Sequence, residues 1–216
     1  MINMRYAILR MKQIIKELGI PGSFMYALQY IVSRMLNTIE EIKSSVIGHA
    51  LSDGLISYIE YRILKKQYPS YYKGRWRYIK YVLGIISEVN PESVLELGPH
   101  HIPLVKGSDT MNIDDCHIKP TFMHDARITP WPVEDNAYDM FIALQVWEHL
   151  GDKQAEAFQE VMRIARSAIL SFPYKRCCPR NCHHNVDEKI ISKWTCHKKP
   201  EKIINTGLEI IYFFTF

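Results

Sequence analysis

The stretch Ser93 to Pro99, Ser-Val-Leu-Glu-Leu-Gly-Pro, constrains this chain most, because it reads as a buried strand ending on an acid and a glycine. Two further strand-and-acid signals follow in order. Asp109 to Asp115 sets a carboxylate sixteen positions after Gly98, and Tyr138 to Leu150 runs from an apolar strand into a helix. A parallel sheet that collects loops at its strand ends builds a nucleotide pocket from such a series. Bare backbone at Gly98 lets a ligand approach closely, and Asp114 beyond the second strand is suited to accept both hydroxyls of a ribose. The loop Glu-Leu-Gly-Pro-His-His-Ile-Pro lacks the later glycines of Gly-x-Gly-x-x-Gly and the Lys-Ser/Thr of a P-loop. It suits a nucleoside without phosphates better than a pyrophosphate.

With these residues in place, Tyr78 to Tyr174 resembles the class I S-adenosylmethionine-dependent methyltransferases, and among them the small-molecule, type 11-like group whose fourth strand leads into Glu-His-Leu. The resemblance implies an α/β, Rossmann-like fold: a doubly wound, mostly parallel sheet with helices on both faces and a helical N-terminal extension. It implies S-adenosylmethionine as the cofactor. Carried over residue by residue, it assigns Glu96, Gly98 and Pro99 to the first motif near the methionine part, and Asp114 to the ribose. Asp125 and Ala126 of His124-Asp125-Ala126 fall on the adenine side, and Gln145 lines the pocket past the fourth strand. Pro130 to Asp135 resembles the turn before that strand. His100 and Ile102 stand where the family usually has glycines.

Length and composition agree with one α/β domain plus an extension. At 216 residues, with 47% hydrophobic and 23% charged, the chain can bury a full core. No apolar run is long enough to span a bilayer, and no signal-peptide stretch opens the sequence. Five cysteines, an odd number, fit a reduced compartment, so the expected location is cytoplasmic. The expected division is a helical extension over 1–73, serving as a lid or oligomerisation element, and the cofactor-binding domain over 74–216. In the extension, Ile2 to Leu18, Phe24 to Ile47 and Leu51 to Lys66 carry apolar residues at helical spacing.

The basic residues are concentrated early: residues 1–90 hold 13 Lys/Arg against 6 Asp/Glu. Between Arg62 and Tyr81 they interleave with aromatics. One reading makes Gly74 to Val89 an amphipathic helix with Trp76, Ile79, Val82, Leu83 and Ile86 toward the sheet and the charges solvated. Another gives the patch an anionic acceptor, a nucleic acid or a lipid-linked sugar at a membrane surface. No nucleic-acid module is present, which makes nucleic acid the lesser partner.

Asp152 to Arg166 carries Ala155, Phe158, Val161, Met162 and Ala165 at helical spacing, and Ala168 to Phe172 is an apolar strand. Strand, helix, strand in that order predicts a right-handed crossover to a parallel neighbour. Next come Cys177, Cys178, Cys182, His183, His184, Cys196 and His197, whose spacing matches no familiar closed zinc site. The preferred reading is a loop opening a helix over Glu188 to Trp194, capped by Asn185 or Asp187, and no metal ligand is assigned. Ile203-Ile204 and Leu208 to Phe214 supply strand material. That ending looks short of the antiparallel pair of strands that closes the resembling family's domain: either one strand is missing or Ile210 to Phe214 alone forms the edge, with its aromatic tail needing cover.

The predicted activity is methyl transfer to a small-molecule or glycan acceptor by direct in-line displacement. His183 and His184 are the first candidates for a base that takes the acceptor's proton, and His149 is a weaker one. Two other readings stay open: a non-catalytic binding or scaffold module on the same fold, and a different nucleoside-using enzyme such as a nucleotide-sugar dehydrogenase. Partners left open include a second copy of the chain and a membrane surface met through residues 62–81.

Overall fold

The computed structural model describes residues 54–175 and 185–216. These belong to one compact unit, Gly48–Phe216, and the helices expected over Ile2 to Leu18 and Phe24 to Ile47 lie outside the described residues. The chain enters through α1 (Tyr58–Gln67), the short α2 (Pro69–Tyr72) and α3 (Trp76–Val89). The strands and helices that follow are β1 (Val94–Leu97), β2 (Asp109–Asn112), β3 (Phe122–Met123), β4 (Met140–Leu144), α4 (Gln154–Ile164), β5 (Ser167–Pro173), α5 (Glu188–Trp194), β6 (Lys202–Asn205) and β7 (Glu209–Thr215). A 3-10 turn, Trp147–His149, follows β4.

The seven strands form one sheet in the order β3-β2-β1-β4-β5-β7-β6. All pairings are parallel up to β5, and β7 runs antiparallel to both β5 and β6. Side chains alternate between its faces, as a strand of period two requires. Met140, Ile142, Ile169, Ile211 and Phe213 join the core beneath α1 to α3, while Phe141, Ala143, Ala168, Leu170, Ile210 and Phe214 join the core beneath α4 and α5. Both faces are therefore covered, as predicted. The parallel β4–α4–β5 unit also matches its prediction.

Local sequence explains the helix limits. α1 starts at Tyr58 rather than Leu51 because Ser57 and Glu60 form a capping box: Ser57 Oγ accepts from Glu60 N at 3.2 Å and Glu60 Oε2 accepts from Ser57 N at 2.7 Å. Leu55 instead makes an antiparallel bridge with Val105. α3 buries Trp76, Ile79, Val82, Leu83 and Ile86 as predicted, with Tyr78 and Ile85 beside them, and ends at Asn90 in the left-handed region. α4 buries Ala157, Phe158, Val161 and Ile164, so its inward face is turned slightly from the one centred on Ala155 and Met162. α5 spans the predicted residues, and Asp187 caps it by accepting from Ile190 N at 2.9 Å.

Two expectations are corrected. The C-terminal sheet is complete, because β6 and β7 form the antiparallel pair and β6 is the edge. Tyr212, Phe213 and Phe214 are buried by the sheet's neighbours and need no further cover. In the basic-aromatic stretch the charges are not all solvated, since Arg75 and Arg77 are half-buried. Tyr72 and Tyr78 are interior too, and Tyr61 donates its hydroxyl hydrogen to the Tyr72 carbonyl. Arg77 pairs with the buried Glu209 through Nε at 2.9 Å and Nη2 at 2.5 Å, tying α3 to the start of β7. Among the described residues, no helix is long and apolar enough to cross a membrane.

Removing one partner of a buried pair strands the other charge. Arg77→Ala is expected to destabilise the protein by about 3 kcal/mol in chemical denaturation, far more than removal of Lys153, the exposed partner of Glu156.

Candidate functional site

The carboxyl ends of β1, β2, β3 and β4 share one edge of the sheet, and the sequence-predicted residues lie on the loops that leave it. The loop after β1 begins at Gly98, whose φ of +65° belongs to the left-handed region. A Cβ there would also come within 2.9 Å of Val146 Cγ2, so both conformation and close packing call for glycine. Gly98 N donates to Met111 O at 2.9 Å, which ties the loop to the neighbouring strand.

Glu96 is buried, and its carboxylate collects three donors from the same loop: Leu104 N at 2.9 Å, Val105 N at 2.8 Å and Ser108 Oγ at 3.1 Å. Burial pushes the carboxyl up to about 7 despite those three bonds, which favour the charged form. Its oxygens thus face the chain's own backbone.

Glu96, Gly98 and Pro99 line a cleft of about 450 Å³, a volume that includes space open to solvent. Leu97, Ile142 and Leu144 line it from the strands, and Tyr71, Arg75 and Tyr78 from the segment before the sheet. Arg75 is fixed by Tyr71 O at 2.8 Å and the Tyr78 hydroxyl at 2.8 Å, and lies over the Tyr71 ring. Sequence reasoning missed this wall, since the basic-aromatic pattern is equally compatible with a solvated helix face.

The other predicted residues stand on the same edge but outside the lining of that cleft. Asp114 lies two residues beyond β2, half-buried, and its Oδ1 accepts from Cys116 N at 3.2 Å. Asp125 is held by Arg127, Nη2 to Oδ2 at 2.6 Å, and this partner draws its carboxyl down to about 2. Ala126 is buried, its carbonyl accepting from the indole of the interior Trp131 at 3.1 Å. Arg163 then fixes the turn before β4, reaching Trp131 O, Val133 O, Asp135 and Glu160. Gln145, at φ +59°, ends β4 and directs its amide to Ser171 Oγ at 3.3 Å.

His183 and His184, with Cys177, Cys178 and Cys182, lie outside the described residues. Cys196 and His197 are engaged separately, Cys196 with Ala155 O and His197 with Ser192 Oγ. His149 is exposed, and partial burial of its ring lowers its pKa.

In place of family glycines, His100 and Ile102 carry side chains that pack. Ile102 lies against the core beneath α1 to α3. His100 stacks between Tyr71 and His117, with ring centroids 3.8 Å from each, and His101 stacks on Tyr68 at 3.7 Å. No spacing rule joins His117 to the other two histidines, because it is the approach of the loops after β1 and β2 that brings them together.

The strand order and directions, with the loops gathered at one carboxyl edge, make a Rossmann-like fold whose sheet closes on an antiparallel pair. No protein-family model and no curated protein matches the sequence. Solved structures share the fold. The chain is similar to a protein from Pyrococcus horikoshii OT3 at 14% identity and TM-score 0.54, covering 70% of this chain and 97% of that one. It is similar to the N-methyltransferase NodS from Bradyrhizobium japonicum WM9 at 14% identity and TM-score 0.50, covering 65% and 94%. A S-adenosylmethionine-dependent methyltransferase from Clostridium acetobutylicum ATCC 824 matches at 9% identity and TM-score 0.50, covering 72% and 96%.

Folded Glu96 keeps its proton up to about pH 7, whereas an unfolded carboxyl releases it near 4.5. Its contribution to stability is therefore fully present below pH 4.5 and is lost as the pH rises through 7. In denaturant melts, the native protein is expected to lose on the order of 3 kcal/mol across that window relative to Glu96→Gln.

Proposed function

We propose that this protein is a class I S-adenosylmethionine-dependent methyltransferase acting on a small-molecule or glycan acceptor by direct in-line displacement. The observation that carries this reading is the pairing of two features on adjacent parallel strands: the glycine turn at Gly98 after β1 and the acid Asp114 beyond β2. The donor set fits the cofactor. A half-buried carboxylate suits ribose hydroxyls, the apolar strand ends suit an uncharged ring, and the loop offers no phosphate cradle. Asp114 would hold the ribose, Asp125 and Ala126 the adenine side, and Gly98, Pro99 and Gln145 the remainder. Glu96 acts through the loop it fixes. When bound, S-adenosylmethionine supplies a methyl group made electrophilic by its sulfonium.

The chain's own contribution is chiefly alignment, which is worth up to roughly 7–11 kcal/mol in well-oriented systems. His183 and His184 follow β5 and are the proposed bases for a hydroxyl or protonated amine acceptor. Exposed Arg62, Lys66 and Lys73 lie near the cleft in sequence and favour an anionic acceptor, including one presented at a membrane surface. His100 and Ile102 favour a second reading, a non-catalytic binding or scaffold module, because their packed side chains occupy the positions of loop glycines.

Calorimetric titration with S-adenosylmethionine and its demethylated product tests cofactor binding. Binding is expected, and Asp114→Ala is expected to weaken it roughly 10- to 100-fold, as for loss of a charge-assisted hydrogen bond. No binding to the native chain overturns the methyltransferase reading and leaves the binding or scaffold module. Demethylated product released in the presence of a glycan or small-molecule acceptor selects the enzyme over the binding module. In that assay His183→Ala or His184→Ala is expected to lower kcat about 10²- to 10⁴-fold.

A further inference from the structure

We infer that His100, His101 and His117 form a binding site for a divalent cation of the zinc class. Each offers a ring nitrogen, and these nitrogens all lie within 4.8 Å of one another. Two come from the loop after β1 and the third from the loop after β2, so the site joins segments that the sheet holds side by side. His100 Nδ1 and His101 Nδ1 already point at each other, 2.7 Å apart. Two imidazoles on one tetrahedral zinc at 2.0–2.1 Å stand about 3.4 Å apart, so the pair need open by less than about 1 Å to admit the ion.

The rings are gathered before any ion arrives, and His117 has to turn from its stack on His100 to aim a nitrogen lone pair at the ion. Tyr71 supports His100 and Tyr68 supports His101 by stacking, and His117 lies over both at centroid distances of 3.8 and 4.5 Å. The backbone beneath them is fixed at one end by the Gly98 turn and at the other by the Glu96 bonds to Leu104 and Val105. A ligand set whose supports are already built loses less freedom on binding.

The surrounding charges act in both directions. Arg75 opposes a cation beside His100, and Asp114 favours one. Three neutral imidazoles add no charge of their own, and imidazole nitrogen suits zinc, copper, cobalt and nickel ahead of magnesium or calcium. A tetrahedral ion with three protein ligands keeps its fourth position for water or for an oxygen, nitrogen or sulfur donor of a small molecule. His100 also lines the cleft, so that open position adjoins it. The site stands on these residues and does not depend on the methyltransferase reading.

The test is metal titration of the full chain after chelator treatment, first with zinc and then with cobalt(II), whose visible spectrum reports the ligand type. We expect one ion per chain at this site and a cobalt spectrum of nitrogen and oxygen ligation without sulfur charge transfer. His117→Ala, at an exposed position, is expected to weaken binding by more than the roughly 10- to 100-fold that outer-shell changes cost. His101→Asn gives a second reading, and circular dichroism verifies that each variant is folded. A Cys177→Ser, Cys178→Ser, Cys182→Ser protein is expected to bind like the native chain. Absence of binding to the folded native chain, native affinity in both histidine variants, or loss of binding in the serine variant would overturn the site. The readout is metal occupancy, so a failure here is distinct from a failure to bind S-adenosylmethionine.

Discussion

The carboxylate of Glu96 is the contact on which the rest of the site depends. It is an acid buried at the end of a central strand, and it accepts from the backbone N–H groups of Leu104 and Val105 and from the Ser108 hydroxyl. Parallel neighbours usually need a helix to cross between them, yet residues 98–108 join β1 to β2 without one. Glu96 makes that short route possible by drawing Leu104, Val105 and Ser108 back onto the strand end. Leu104 then enters the core and its carbonyl accepts from Ile56 N at 2.8 Å, while Lys106 N donates to Gly54 O at 2.7 Å. The first loop and the chain before α1 are thus fastened together.

One face of the sheet carries Met140, Ile142, Ile169, Ile211 and Phe213, which must be kept from water. α1 to α3 do this from the N-terminal side, and their aromatic residues become one wall of the cleft. Tyr61 links the layers, accepting from Trp76 N at 2.9 Å while donating to Tyr72 O. Arg77 and Glu209 join the same layer to the last strand. Packing and site construction are therefore carried by the same residues, and the basic character of this segment is partly spent inside the fold.

On the open edge, the loops are tied down independently of any ligand. Arg127 holds Asp125, Trp131 holds Ala126, and Arg163 holds the turn before β4. Preorganisation of this kind lets a cofactor be positioned without ordering the chain at the moment of binding. His100 changes the character of the first loop: with His101 beside it and His117 from the loop after β2 it forms a stack of imidazoles next to the cleft, where the cation site is proposed.

The sequence by itself determined the elements whose signals are local. Short apolar runs marked β1, β4 and β5, the 3.6-residue period placed α3, and the Asn185 or Asp187 cap placed α5, because each depends on neighbours a few positions away. Gly98 and Asp114 were legible for the same reason, as a strand end, a glycine and an acid at a recognisable interval. Only the tertiary structure decided which charges are interior, that β7 lies inside the sheet with β6 at its edge, that Glu96 spends its oxygens on its own loop, and that His117 meets His100 and His101. Those outcomes follow from strand order and loop approach, which bring together residues distant along the chain. Their pairing energies have no periodicity to leave in the sequence.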